Sequence, residues 1–320
     1  MRILLSFLGE YYIMKKVLIA TEKPFASVAL MQIAEILSDS GYEVIKLEKY
    51  PSKSDLLNAV KDVHAMIVRS DIVDREVLEA AKELKIVVRA GAGFDNLDLA
   101  TCTEKGIVAM NTPGQNSNAV AELAIGMMIF MARGNFKGGS GSELKGKTVG
   151  VYGCGNIGRR VARIAQGLGM KVVALDPCIT KISMEPYDVK VVQSVDELFS
   201  TSDYLSLHIP VNDKTKKSVN FDLMSKMPKG ATLINTARKE VIDEEGLKKI
   251  LEERPDFKFI SDIAPACHDE LAQKFELRYY STPKKQGAET AEANFNAGKA
   301  AAEQIVAFFG SNDQTYRVNR

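Results

Sequence analysis

Residues 148–176 constrain the fold more than any other part of the chain. An apolar run typical of a buried strand is followed by Gly153, Gly155 and Gly158, then by a helical pattern, and then by a second strand that ends at Asp176. A G-x-G-x-x-G spacing alone is weak evidence, but a strand, the glycines, a helix, a strand and a carboxylate in this order form the dinucleotide-binding fingerprint. The segment therefore predicts a parallel α/β sheet that binds a dinucleotide.

Each part of this segment has a physical role in that prediction. Gly153 permits the tight turn, Gly155 lets the backbone approach a pyrophosphate, and Gly158 lets helix and strand pack closely. The start of the helix offers free N–H groups to the phosphates. Asp176 would accept hydrogen bonds from the ribose hydroxyls and repel a 2′-phosphate, which favours NAD over NADP. The alternative is a glycine-rich turn that binds nothing.

Composition describes a soluble, globular chain. Its 320 residues suffice for two domains, and 46% are hydrophobic and 26% charged. A net charge of +1 indicates neither a nucleic-acid nor a membrane partner. The four cysteines form no C-x-x-C pair and, with three histidines, no cluster with metal-ligand spacing, so we expect free thiols, a cytoplasmic location and no metal. The longest apolar run, residues 119–132, contains a glutamate and is too short to span a bilayer.

Strands and helices alternate along the chain, and one complete α/β domain precedes the glycine turn. A last helix, predicted over residues 289–309, should return to that first domain. We therefore expect an α/β fold of two Rossmann-like or flavodoxin-like parallel-sheet domains with a cleft between them. The predicted parts are a substrate-binding domain of residues 14–113 plus 290–320, an NAD-binding domain of residues 114–289, and an N-terminal extension of residues 1–13.

Three arginines follow apolar strands at the end where α/β proteins bind ligands. Arg69 and Arg89 come just after such strands, Arg238 follows another by three residues, and residues 91–93 form a glycine-rich turn with open N–H groups. Arginine forks and such turns both suit carboxylates or phosphates. The alternative is that these are ordinary surface arginines at the starts of loops. Three at the same end of two sheets favour an anionic ligand.

Several motifs make the chain similar to a known family. They are VRAGAGFDNLDL, NTPGQNSNAVAEL, GCGNIG, SLHIP and NTARKEVIDEEGL. From Lys15 onward the chain resembles the D-isomer-specific 2-hydroxyacid dehydrogenases, and within that family it looks closest to the D-3-phosphoglycerate dehydrogenases. The resemblance implies two α/β domains with the site in the cleft, and hydride transfer from a D-2-hydroxy acid to NAD.

The resemblance also implies roles for individual residues. Arg238 matches the arginine that holds the substrate's carboxylate and carbonyl, and Arg69 and Arg89 match positions that face a substrate phosphate. The remaining substrate-side positions are Gly91, Ala92, Gly93 and Asn111. Beside the three glycines and Asp176, the cofactor-side positions are Asn156, Ile157, His208, Ile209, Pro210, Thr236, Ala237, Asp262 and Gly287. Of these, His208 is interpreted as structural.

The chain departs from the family pattern where the acid/base should be. The family has histidine in T-P-H-x-G-A and a glutamate about five residues after the position of Asp262, whereas here the turn reads TPKKQGA and the second position is Cys267. A lysine can replace the histidine if its pKa falls from the ordinary value of about 10.4. Counting back from the glycine selects Lys285; the alternatives are Lys284 and His268.

The resemblance thus implies NAD-dependent oxidation of D-3-phosphoglycerate to 3-phosphohydroxypyruvate, on the route to serine, with Arg238 and Lys285 as catalytic residues. The expected partners are a small phosphorylated 2-hydroxy acid and a second copy of the chain in a homodimer. Two alternatives stay open: a hydroxypyruvate or glyoxylate reductase, or another D-2-hydroxyacid dehydrogenase; and an NAD-sensing binding protein similar to the C-terminal-binding-protein corepressors.

Overall fold

The computed structural model describes residues 14–177 and 189–319, which form two compact units. Unit 1 comprises the described residues up to Asn116 and those from Ala291 onward, and unit 2 those from Ser117 to Thr290. The extension predicted for residues 1–13 and the thiol of Cys178 lie outside the described residues.

Strands and helices alternate along most of the described residues of both units. The strands are β1 Lys16–Thr21, β2 Glu43–Glu48, β3 Ala65–Val68, β4 Ile86–Arg89, β5 Val108–Asn111, β6 Thr148–Tyr152, β7 Lys171–Leu175, β8 Lys190–Val191, β9 Tyr204–Leu207, β10 Thr232–Asn235, β11 Lys258–Ser261 and β12 Tyr279–Ser281. The helices are α1 Ser27–Asp39, α2 Lys53–Ala59, α3 Arg75–Ala80, α4 Leu99–Glu104, α5 Ser117–Ala132, α6 Asn156–Gly167, α7 Val195–Thr201, α8 Phe221–Ser225, α9 Glu244–Glu253, α10 His268–Lys274 and α11 Ala291–Ser311.

Unit 1 is built on a five-stranded parallel sheet in the order β2-β1-β3-β4-β5. Its central strands are buried along nearly their whole length, as expected when helices cover both faces of a parallel sheet. Helix α11 packs against α1, and a Cβ on Gly298 would lie 2.6 Å from Ile33 Cδ1, so the glycine permits this close approach. The chain then returns to β5, where Arg317 forms an antiparallel bridge with Met110.

Unit 2 is built on a seven-stranded parallel sheet in the order β12-β11-β10-β9-β6-β7-β8. Strand β6 pairs with β7 on one side and with β9 on the other, so the direction of winding reverses at β6. Ligands of open α/β sheets bind outside the carboxyl ends of the strands at such a point. Helix α5 is apolar around most of its circumference and packs on α6 and β10, which agrees with its burial.

The predicted fold class is confirmed: the strands of both sheets pair in parallel, and helices lie between most successive strands of the described residues. The last helix runs Ala291–Ser311, two residues later at each end than predicted. Strand β12 is a part of the sheet that the sequence did not indicate. It has three residues, Tyr279–Ser281, and lies at the edge beside β11, so it carries no apolar run from which a strand can be predicted.

Candidate active site

The glycine turn of unit 2 joins β6 to α6 at the switch point of the sheet. Gly153 has φ +89°, and a Cβ there would lie 2.8 Å from the carbonyl group of His208. A Cβ on Gly158 would lie 2.2 Å from the carbonyl oxygen of Gly153 and 2.9 Å from Val151 Cγ1. These two glycines are therefore required by the fold itself.

Gly155 differs from the other two glycines. It is the N-cap residue of α6, has φ −74°, and a Cβ on it would meet nothing within 4 Å. No side chain caps this helix start, so its N–H groups are left to a ligand or solvent. The open space over Gly155 and the uncapped start of a twelve-residue helix fit the pyrophosphate of a dinucleotide.

Asp176 is fixed beside this turn. One of its carboxylate oxygens accepts the backbone N–H of Cys154 at 2.7 Å, and the residue is partly exposed just after β7. The hydrogen bond holds the carboxylate next to the glycine turn, where a bound dinucleotide would present its ribose. The structure thus brings Asp176 to the loop with which the sequence associated it.

His208 and Thr236 bring unpaired polar atoms to the ends of β9 and β10. His208 Nε2 lies 2.9 Å from Ser206 Oγ, while its Nδ1 is buried and has no hydrogen-bond partner among the described residues. Thr236 is 4% exposed, and its hydroxyl is likewise unpaired there. Burial lowers the pKa of His208 to about 3, so the ring is neutral. A structural role for His208 stays a prediction.

The burial of His208 predicts acid sensitivity with a defined pH window. The pKa falls from 6.5 to about 3 on folding, so between these values the unfolded chain binds the proton and the folded one does not. The unfolding free energy should fall by up to ~1.4 kcal/mol per unit as pH drops through this window, and His208→Gln should remove that slope. Urea unfolding at a series of pH values measures it. If the unfolding free energy of the wild type and of His208→Gln falls equally with decreasing pH, the prediction is wrong.

Arg238 lies on a turn that Asn235 organises. The Asn235 side chain is 3% exposed; its Nδ2 donates to the carbonyl of Arg238 at 2.9 Å and its Oδ1 accepts the N–H of Ala237 at 3.0 Å. Arg238 Nη1 donates to the carbonyl of Ala237 at 3.0 Å. The asparagine therefore fixes the backbone from which the arginine projects.

The lysine turn is built around the carboxylate of Asp262. This carboxylate is fully buried and accepts the Gln286 and Gly287 N–H groups, both at 2.8 Å, and the Thr282 hydroxyl at 3.1 Å. A Cβ on Gly287 would lie 2.9 Å from Asp262 Oδ2, so the close approach needs a glycine. Lys285 is exposed on this turn, whose backbone is held by the hydrogen bonds to Asp262.

His268, the rival acid/base, is engaged elsewhere in unit 2. It begins α10, and its Nδ1 lies 2.7 Å from the hydroxyl of Tyr279. The ring borders a cavity of about 280 Å³ that Phe130 and Tyr280 also line. Beside it, burial raises the pKa of the Cys267 thiol to about 11, so this thiol stays protonated near neutrality.

The anion-binding residues of unit 1 meet at the carboxyl ends of β3 and β4. Arg89 Nε donates to the carbonyl of Arg69 at 3.0 Å. Gly91 has φ +148°, and a Cβ there would lie 1.6 Å from Arg89 Nη1, so the guanidinium occupies the space that a side chain would fill. The structure therefore couples the conformation of Arg89 to the glycine turn.

Asn111 connects the glycine turn to the neighbouring strand. Its Nδ2 donates to the carbonyl of Ala92 at 2.6 Å, and its own carbonyl accepts Gln304 Nε2 at 3.0 Å. Asn111 is thereby a support for residues 91–93, with its side-chain nitrogen already used.

Two positioning residues of unit 1 were not predicted. Asp71 is 3% exposed, and its carboxylate accepts the N–H groups of Glu22 and Arg69 and the hydroxyl of Tyr50. Asn96 donates to the carbonyls of Arg69 and Asp71. Both lie within stretches next to the arginines, but only the folded chain shows which backbone groups they hold. A buried carboxylate is stable only with such donors.

Neither unit offers a metal site or a membrane span in the residues that the structure describes. No group of three or more potential ligands among histidine, cysteine, aspartate and glutamate is placed to hold an ion there. No described helix is long and apolar enough to cross a bilayer.

Comparison with known proteins agrees with this geometry. Residues 121–281 match the family model described as "D-isomer specific 2-hydroxyacid dehydrogenase, NAD binding domain". This stretch contains the glycine turn, Asp176 and the Asn235 turn, so NAD is the cofactor of unit 2.

Named relatives match most of this chain. A D-3-phosphoglycerate dehydrogenase of Methanocaldococcus jannaschii is 37% identical over 79% of this chain and 51% of its own length. A hydroxypyruvate reductase of Thermotoga maritima is 36% identical over 81% of this chain and 89% of its own. The chain thus spans about half of the first relative.

A solved structure extends the likeness to both units. The NAD⁺-bound 3-phosphoglycerate dehydrogenase of Entamoeba histolytica is 47% identical, with 96% of this chain and 99% of that chain covered and a TM-score of 0.86. The fold, the dinucleotide turn and these matches together show that the chain belongs to the D-isomer-specific 2-hydroxyacid dehydrogenase family.

Proposed function

We propose that the protein oxidises D-3-phosphoglycerate to 3-phosphohydroxypyruvate with NAD. The choice of substrate rests on Arg69 and Arg89, whose guanidinium groups are held at adjacent strand ends of unit 1. A phosphorylated acid has two anionic ends, and guanidinium groups suit both. Relatives named as phosphoglycerate dehydrogenases, among them the Entamoeba histolytica enzyme at 47% identity, support the same substrate.

Different residues would bind the two anionic ends of the substrate. Arg69 and Arg89 would bind the phosphate, and the N–H groups of Ala92 and Gly93 would bind the carboxylate, because the N–H of Gly91 already donates to the carbonyl of Arg89 at 2.9 Å. Arg238 would orient the 2-hydroxyl group and stabilise the carbonyl that forms. Its turn is preorganised by Asn235, so the guanidinium starts from a fixed backbone.

Oxidation removes a proton and a hydride from the substrate. Lys285, as the neutral amine, would take the proton of the 2-hydroxyl group and become an ammonium. The C2–H bond breaks with its electron pair as the C2–O double bond forms. NAD, when bound, accepts that hydride. The amine has to be neutral for this step, so the proposal requires a pKa below the ordinary ~10.4.

NADH formation with the purified protein tests the substrate. We expect kcat/KM to be highest with D-3-phosphoglycerate among D-2-hydroxy acids, and Arg69→Ala to lower it by about tenfold to 100-fold, because a phosphate contact of ~1.4–2.8 kcal/mol is lost. D-Glycerate, which lacks the phosphate, is the matched substrate control. Its oxidation should change little in the same variant.

Hydroxypyruvate reduction is the second candidate, because the Thermotoga maritima relative bears that name and is covered over 89% of its length. Such an enzyme needs no phosphate site. Faster turnover of unphosphorylated acids, with Arg69→Ala nearly neutral on all of them, would replace the phosphoglycerate proposal. NAD binding without turnover of any 2-hydroxy acid would favour a binding protein.

We also propose that the protein is a homodimer assembled through unit 2. Ile129 is 37% exposed, Phe136 66% and Tyr280 38%. The Phe130 ring meets Phe136 edge-on and Tyr280 at a tilt, with ring centres 5.4 and 4.9 Å away. A cluster of exposed apolar side chains on one domain is typical of a protein interface. Light scattering should give twice the chain mass, and Phe136→Glu should shift it toward the monomer. A wild-type monomer would contradict the proposal.

We propose that the protein is cytoplasmic, because its described cysteines are unpaired. Cys102, Cys154 and Cys267 are free in the structure, and burial raises the pKa of each. Unpaired thiols are typical of reducing compartments. Fractionation of the source cells tests this, and recovery with secreted proteins would contradict it.

A further inference from the structure

Three neutral oxygens of unit 1 accept hydrogen bonds from the Arg69 guanidinium group. Its Nη1 donates to the carbonyls of Lys23 and Pro24 at 3.3 and 3.1 Å, and its Nη2 donates to Asn294 Oδ1 at 2.5 Å. The guanidinium carbon lies 5.3 Å from the centre of the Phe25 ring. These contacts fix the guanidinium plane, since an arginine fork loses its freedom once several N–H groups are bonded.

Asn294 reaches Arg69 from another part of the chain. It lies in the first turn of α11, is half-buried, and is separated from Arg69 by 225 positions in sequence. A guanidinium group only donates, so the amide atom facing it must be the oxygen. The Asn294 nitrogen, with its two N–H groups, then points to the other side of the amide. Arg69 therefore determines the orientation of the Asn294 amide, and Asn294 in turn helps to fix the Arg69 guanidinium group.

The chemistry of Asn294 decides how Arg69 presents its charge. An amide oxygen accepts the hydrogen bond without adding a negative charge. A carboxylate in the same position would bind the fork as a charged pair and offset its positive charge. The asparagine thus fixes the arginine without adding a negative charge at this position.

We infer that Asn294 is a positioning residue for substrate specificity, which sets Arg69 toward the anionic group of the substrate that lies away from the reacting carbon. This rests on the proposed function for the identity of that group, a phosphate. It adds α11 to the substrate-binding parts of unit 1, which the family motifs place at the strand ends.

The variant Asn294→Asp tests this with a nearly isosteric change. For D-3-phosphoglycerate we expect KM to rise at least about tenfold while kcat changes less than about threefold, because ground-state binding is lost and the chemistry is not. Asn294→Gln keeps the neutral acceptor and should recover most of the affinity. With D-glycerate the KM of Asn294→Asp should stay within about threefold of the wild type.

Asn296→Asp is the matched control. It makes the same chemical change two positions along α11, on an exposed residue. It should behave as the wild type with both substrates. Equal effects of the two aspartate variants, or equal effects of Asn294→Asp on both substrates, would overturn the inference and indicate a general charge or stability effect.

Binding of inorganic phosphate by calorimetry separates this inference from the proposed function. If the wild type prefers another acid, the proposed function fails, but phosphate should still bind more weakly to Asn294→Asp than to the wild type and Asn296→Asp. Indistinguishable phosphate affinities, or no phosphate binding by the wild type, would overturn the role of Asn294 whatever acid is oxidised.

Discussion

Replacing Lys285 with alanine is expected to lower kcat for D-3-phosphoglycerate oxidation by about 10²- to 10⁴-fold, the usual contribution of a positioned general base. KM should change little, because the amine acts on the reacting proton and not on the anionic ends of the substrate. Stopped-flow measurement of NADH formation separates the chemical step from product release. A variant with near-normal turnover would exclude Lys285 as the base.

The structural reason for choosing Lys285 is the way its turn is fastened. The Asp262 carboxylate accepts hydrogen bonds from the two backbone N–H groups just after the lysine, those of Gln286 and Gly287, and from the hydroxyl of Thr282, three residues before it. The Cα of residue 285 is thereby held from both sides. A base on a fixed backbone keeps the geometry that proton transfer requires.

Three further variants make the experiment specific. Lys284→Ala removes the same charge from the neighbouring exposed position and should leave kcat within about threefold, whereas Lys285→Arg keeps the charge but cannot lose a proton and should be as slow as alanine. In the wild type, kcat should rise with pH because the base must be deprotonated to act. This rise in the pH–rate profile should be absent in Lys285→Ala. If Lys284→Ala or His268→Ala shows the large loss instead, that residue is the base.

Replacing Gly155 with alanine is expected to weaken NAD binding by about tenfold to 100-fold, while the unfolding free energy falls by no more than about 1 kcal/mol, the usual cost of alanine at an N-cap. A Cβ at Gly155 meets no protein atom within 4 Å, so the fold tolerates it, but it extends into the space over the helix start. There it competes with the pyrophosphate, at a cost of about 1–3 kcal/mol. Calorimetry of NAD binding and urea unfolding measure the two effects.

Gly158→Ala is expected to show the reverse order of effects. Its Cβ would lie 2.2 Å from a backbone oxygen, so unfolding free energy should fall by about 1–3 kcal/mol or more before any cofactor is added. Gly167→Ala is the control, because Gly167 lies in the last turn of the same helix and its Cβ would meet no atom within 4 Å. This variant should leave NAD binding unchanged and alter the unfolding free energy by no more than ~1 kcal/mol. If Gly155→Ala binds NAD as well as the wild type, the pyrophosphate site has been misplaced.

The fold was predictable because its signals are local. The glycine spacing, the apolar runs of four to six residues and the turns between them each follow from short stretches, and the structure confirms two parallel α/β sheets. NAD was predictable for the same reason, since the glycine turn and Asp176 lie within one βα unit. Strand β12 escaped prediction because three residues at a sheet edge carry no period.

The residues that hold the site were harder to predict. Asn235, Asp71, Asn96 and Asn294 are ordinary polar residues in sequence, and each acts through a hydrogen bond that only the folded chain shows. The pairing of Arg69 with Asn294 spans 225 positions, a separation at which neither spacing nor local pattern carries information.

The sequence by itself determined the fold class, the family and the cofactor, because these depend on backbone geometry that glycines, apolar runs and a single carboxylate encode locally. The tertiary structure decided which of the three glycines the fold needs and which one faces open space, and it showed Asp262 fastening the turn of Lys285. It also placed Asn294 against Arg69. Side-chain contacts between distant segments arise only when the sheet and helices pack, so no stretch of sequence contains them.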